Sequence, residues 1–171
     1  MRCEPPGALL KIDPQASSFV MTELILMAHV LFGVACVVTT VWVFVDVLNI
    51  SESNLARVRI MSRAVAVFMW LAFVIAGYWY VFDYPADKAV ILKGPWPFAH
   101  RFFMETKEHL VILLLLLATF LPIAAAGNLA ANRDARRVVL WVAGLIVLLG
   151  LVAEGDGGII AMGVKVGLLA R

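Results

Sequence analysis

Charge is scarce along this chain. Only 15% of its 171 residues are Asp, Glu, Lys or Arg, where a soluble domain carries roughly 25%. That is too little to cover a globular surface with solvated groups. Basic and acidic residues nearly balance, at a net charge of +2. No basic stripe with interleaved aromatics appears, so nucleic acid is not an expected partner. Cysteine is scarce too, at two residues. Cys36 lies in an apolar run and Cys3 in a polar leader. A bridge between them would draw the leader into the bilayer and strain a bond with strict geometry. Neither belongs to a CxxC or CxxCH pattern, which argues against covalent c-type haem and thiolate metal sites. There is no Gly-rich nucleotide loop and no recognisable catalytic nucleophile.

Apolar side chains are what the sequence has in excess. They make up 63% of the residues, with a mean hydropathy of +0.96. Four runs stand out, at about 22–48, 64–82, about 102–127 and 138–153. A membrane span needs about 20 such residues. In lipid every backbone group must pair within its own segment, so each run predicts a helix. The expected fold is all-α, an integral membrane four-helix bundle over residues 21–154. The polar residues 1–20 carry Glu4, Pro5, Pro6, Asp13 and Pro14, with no apolar stretch of signal-peptide length. They read as a disordered leader, or as the product of a start codon upstream of a true start at Met21. Gly155-Asp-Gly-Gly158 is expected to break the fourth helix. Residues 155–171 then form an interfacial tail too short to span.

The connections set an orientation. Arg57, Arg59 and Arg63 follow the first run, and Arg133, Arg136 and Arg137 follow the third. Arginine-rich loops favour the cytoplasmic side. Both termini and the 83–108 connection are then expected to face outward, across a bacterial inner membrane. Gly94-Pro95-Trp96-Pro97 is a rigid turn, and Pro97 suits the first turn of helix three. Tyr78, Trp79, Tyr80, Phe82 and Tyr84, then Trp96, Phe98, Phe102 and Phe103, crowd the outward side, as an interfacial aromatic belt does.

Ionisable side chains at membrane depth are costly, and each one is a functional hypothesis. His29 and His109 sit near the outward ends of helices one and three. At 1.5 Å per residue they share one level to within about a turn. Gly33, Cys36 and Thr40 continue the stripe below His29, and small side chains there leave room for a flat macrocycle. The expectation is a b-type haem held by His29 and His109. Gly33 and Cys36 would line its slot, while His100, together with Arg101 or Lys107, would pair a propionate. His100 lies nine residues before His109, on the opposite side of the same helix.

The carboxylates suggest other chemistry. Glu105, Glu108, His109 and His29 are candidate ligands for a single copper or zinc ion. The spacing Glu105-x-x-x-His109 departs from the Glu-x-x-His pairs of di-iron bundles. Glu105, Lys107 and Glu108 also suit a solvated first turn, where the helix dipole favours acids. Tyr80, Glu108 and Glu154 are candidates for a quinone or proton site.

Ala28-His29-Val30 opening helix one, and Gly157-Gly158-Ile159-Ile160 with Gly163-Val164-Lys165-Val166-Gly167 after helix four, resemble small bacterial four-helix membrane proteins of unknown function. Those proteins commonly carry a histidine where this chain has Met162, so any ligand at that position is lost. Size and histidine placement also resemble b-type cytochrome subunits. Two histidines at one level, with aromatics and acids above them, suggest a membrane redox subunit that links quinol to an extracytoplasmic partner and is at most the electron-transfer part of an oxidoreductase. The alternatives are a non-catalytic structural subunit of a larger complex and a metal or proton conduit.

Overall fold

The computed structural model describes residues 14–170, with side chains from residue 20 onward. Among these residues there are helices and no strands. Helix α1 spans Pro14–Leu48, α2 Leu55–Phe82, α3 Tyr84–Lys93, α4 Glu105–Ala124 and α5 Arg133–Leu169. A π-helical turn, Ala99–Met104, leads directly into α4. Four segments are long and apolar enough to cross a membrane: Val20–Leu48, Leu55–Phe82, Ala99–Ala124 and Arg133–Leu169. The chain is an all-α, integral membrane helical bundle.

Around the bundle the order is α1, α2, α4, α5 and back to α1, each helix touching the next. The shared core holds Val43, Val47, Val65, Leu114, Ala118, Leu121, Val139 and Ile146, with Cys36 and Ala153 toward its far end. Facing outward are Leu31, Trp70, Leu116, Ile123, Trp141 and Leu148, large apolar groups left for lipid. Small residues mark the packed faces, because without a strong hydrophobic drive between helices in lipid, close backbone approach favours association.

One end of the bundle is tied by its loops. Asn54 is buried; its side-chain amide donates to the carbonyls of Asp46 and Asn49, at 3.2 and 3.1 Å. Arg57 clamps Asp46 with two bonds of 2.7 Å. Arg59 reaches across to the Gly127 carbonyl at 3.1 Å, joining the two arginine loops. Asn132 caps α5 by accepting from the amides of Asp134 and Ala135, both at 3.0 Å, which pairs two donors that the helix start leaves open.

Two sequence expectations are corrected at the opposite end. The helix break at Gly155–Gly158 does not occur: α5 runs unbroken for 37 residues, about 55 Å at 1.5 Å per residue. That exceeds the bilayer core of about 30 Å, so its last turns extend beyond the span instead of lying as an interfacial tail. Residues 83–96 are not an open connection either, since they contain α3. This helix and the π-turn cover the end of α5 through Tyr84, Ile91, Ala99, Met104 and Ile160. Gly167 is required there: a Cβ on it would sit 2.9 Å from the Val90 carbonyl oxygen. Residues 14–20 of the expected leader belong to α1, and residues 1–13, with Cys3, lie outside the described residues.

Candidate functional site

The polar residues of the outward-expected half gather on two sides of the first turn of α4. His29, on α1, is partly buried. Its Nδ1–H donates to the Ala72 carbonyl on α2 at 3.0 Å. A carbonyl only accepts, so this bond fixes the proton on Nδ1 and leaves Nε2 as the ring's other reactive nitrogen. His29 lines a small cavity of about 40 Å³ with Gly33, Cys36, Lys107 and Glu154, room for one or two waters.

The small stripe below His29 has a different tenant from the one expected. The Glu154 carboxylate of α5 occupies the space a Gly33 side chain would need. Cys36 turns to α2, its thiol donating to the Val65 carbonyl at 3.7 Å. Thr40 is closed off by a 2.7 Å bond to the Cys36 carbonyl. The stripe accommodates a carboxylate.

His109 does not face His29, and the expected pair is corrected. His109 is exposed and donates Nδ1–H to the Glu105 carbonyl of its own helix at 2.7 Å. At 100° per residue it lies about 200° round α4 from Lys107, which does line the cavity. The inward face of α4 is Lys107, Val111, Leu114, Ala118 and Leu121; His109 belongs with exposed Leu113, Leu116, Phe120 and Ile123. His100 and His109 lie on opposite sides, as their spacing predicts, but the inward side is that of His100.

His100 is 5% exposed. The Tyr84 hydroxyl donates to its Nδ1 at 2.9 Å. Its Nε2 lies 3.8 Å from Glu105 Oε1. Burial, then the neighbouring Tyr80, Glu108, Asp87 and Glu105, holds the Tyr84 phenol well above its usual range, so it keeps its proton; Glu105 beside Nε2 favours the ring proton there, which leaves Nδ1 to accept. Tyr84 also stacks with Tyr80, with ring centroids 5.4 Å apart. Arg101 is exposed and does not join this group. His100 therefore locks α3 to the π-turn, where sequence had assigned it to a propionate.

Lys107 is the residue the sequence reading underrated. It does not join a solvated first turn; its ammonium enters the bundle against Gly157, where a Cβ would meet Nζ at 2.6 Å. Its charged neighbours are Glu154 and Asp156 of α5. Asp156 is 6% exposed, and its Oδ2 has no hydrogen-bond partner. On the other side of the same turn the Glu108 carboxylate lies beside the Tyr80 hydroxyl, and its Oε1 is buried without a partner. Glu105 is half-exposed at the surface. Among the described residues, no three His, Cys, Asp or Glu side chains converge on a point where they could hold a metal ion.

The signal for Lys107 was present in the spacing. Residues 107, 111, 114, 118, 121 and 125 repeat at three and four, with Ala118 and Ala125 among them. Small residues at that spacing mark the packed face of a membrane helix, and Lys107 lies on it.

No protein-family profile matches the sequence, and no curated protein or solved structure is significantly similar to it.

Proposed function

We propose that this chain is a membrane subunit that takes up and releases protons at one end of its bundle, at a centre built from His29, Lys107, Glu154 and Asp156. One observation carries the reading: the Lys107 ammonium shares a cavity with the Glu154 carboxyl inside a membrane bundle, and buried Asp156, two residues on, keeps an unpartnered carboxyl oxygen. An unpaired charge at low dielectric is costly, and such a group neutralises by holding a proton instead. Lys107 can offset one carboxylate. The second carboxyl holds a proton that it can give up when the local charge changes. His29 Nε2, on the same cavity, is a further acceptor.

The site lies toward one end of the bundle. Below it the interior is filled by apolar side chains, and Thr40 and Ser62 bond their own backbones. The arrangement suits exchange with one aqueous face, in service of a substrate or partner there, better than conduction across the bilayer. With the arginine loops cytoplasmic, that face is the outer face of a bacterial inner membrane and both termini point outward. Glu108 and Tyr80, at the rim, are the groups that would meet a membrane-soluble hydroxyl or carbonyl compound such as a quinone.

Infrared difference spectra of the purified protein in nanodiscs, between about pH 5 and pH 9, test the reading. A protonated-carboxyl band that titrates, and that shrinks in Glu154→Gln or Asp156→Asn, is expected. A spectrum with no titrating buried carboxyl overturns it. The same samples test the electron-transfer alternative, which rests on the free Nε2 of His29: a haem α-band in reduced-minus-oxidised absorbance, lost in His29→Ala, would favour it.

A further inference from the structure

A second feature lies at the arginine end, on the outside of the bundle. A groove of about 470 Å³ runs along α5 where Phe44 of α1 meets it. Its floor is Gly144, whose missing side chain leaves the space that Phe44 borders; a Cβ there would lie 3.7 Å from the Phe44 ring. Trp141, 74% exposed, forms one wall. Leu148 closes the far end and Arg137 stands at the mouth.

From Arg137 to Leu148 is about 16 Å along the helix, roughly half the 30 Å hydrocarbon core. The groove therefore reaches from the headgroup level to the bilayer midplane, the depth of one acyl chain. Its lining is almost wholly apolar, as a chain requires. The mouth is the opposite. Arg137 extends into solvent and keeps only a loose 3.5 Å contact with Asp134. Arg133 and Arg136 share the same helix end, and Asp134 is the one acid beside them. The N-terminus of a 37-residue helix adds its positive dipole end at this point.

We infer that this groove binds an anionic phospholipid, with one acyl chain along Phe44, Gly144 and Leu148 and the phosphate at Arg137. Cationic residues at the membrane surface attract anionic headgroups by about 1 kcal/mol each, which is about fivefold in affinity. A zwitterionic lipid offers the same chain without the net charge.

Native mass spectrometry of the delipidated protein, supplied with phosphatidylglycerol or phosphatidylcholine at equal concentration, tests this. Preferential retention of phosphatidylglycerol is expected. Arg137→Gln should lower the ratio about fivefold. Gly144→Leu, which fills the floor, should lower retention of both lipids while the bundle's helicity and thermal midpoint hold. Equal retention of the two lipids, or a preference unchanged in Arg137→Gln, overturns the inference. So does a dimer cross-linked through position 144 that retains no lipid, since the groove then receives a second copy of the chain.

Discussion

The two ends of this bundle solve the problem of polar groups in lipid in opposite ways. At the arginine end the buried polar side chains are nearly all paired. Asp46 is clamped by Arg57, Asn54 stitches the loop, and Thr40 and Ser62 bond the carbonyl four residues back. Arg59 Nε is the one unpartnered buried atom there among the described residues. Between these groups the interior is apolar and closed. At the other end Lys107, Glu154, Asp156 and His29 gather on one side of the first turn of α4 and Glu108 lies on the other, with two carboxylate oxygens unpartnered. A fold that pairs its polar groups at one end has no stability reason to leave them open at the other. Unsatisfied buried polar atoms are rare and call for an explanation. Here the explanation offered is proton exchange.

Variants at each end separate structure from chemistry. Lys107→Met should have the largest effect, a loss of about 3–5 kcal/mol, because it removes the one cation, among the described residues, near the Glu154 and Asp156 carboxyls. Thermal unfolding in detergent measures it, and Glu154→Gln added to the same chain should recover much of the loss. A single-variant loss no larger than a surface change would mean that Lys107 does not sit among the acids. Next comes Leu121→Ala in the closed core, at roughly 2–5 kcal/mol. It should leave the carboxyl titration untouched, which divides packing from proton exchange.

Tyr84→Phe tests the cap over α5. It removes the donor to His100 and leaves Nδ1 buried and unpartnered, at a cost of about 1–3 kcal/mol. Hydrogen exchange should accelerate in α3 and the π-turn and not in α1. The smallest effect is expected at Asp87, in the first turn of α3. Burial, then Glu23 and Asp83, raises its pKa in the folded protein. The fold therefore prefers the protonated acid, and stability is lost as pH rises from the unfolded pKa through the folded one. Asp87→Asn should raise the melting temperature at neutral pH, with the gain disappearing below the ordinary carboxylate range. A gain that persists in acid would place the effect elsewhere.

Much of the architecture was legible in the sequence. The four apolar runs, the arginine loops and the start of helix three after Pro97 followed from hydropathy and proline chemistry. The break at Gly155–Gly158 was misread because glycine was weighed by its propensity in water, about 1 kcal/mol against a helix. In a membrane bundle glycine also lets neighbours approach, and Gly157, Gly163 and Gly167 continue the packed face of α5 toward Lys107, Ala99 and Val90. The candidate site was half legible. His29 and Glu154 were singled out, but His109 was chosen over Lys107 because histidine suggested a ligand and lysine a solvated turn. The three-four spacing with Ala118 and Ala125 carried the facing of α4, whatever the chemistry of each side chain. Asp156 belongs to the outward end of helix four by sequence, but its inward facing does not follow if the helix ends before it.

Sidedness is the measurement that bears most directly on the central claim. The protein would be reconstituted in one orientation in sealed vesicles, and pH stepped on one side while buried carboxyl absorption is followed. The account predicts a response to the step on the side away from the arginine loops and none to the step on the arginine side. A response from both sides, or one from the arginine side alone, would contradict it.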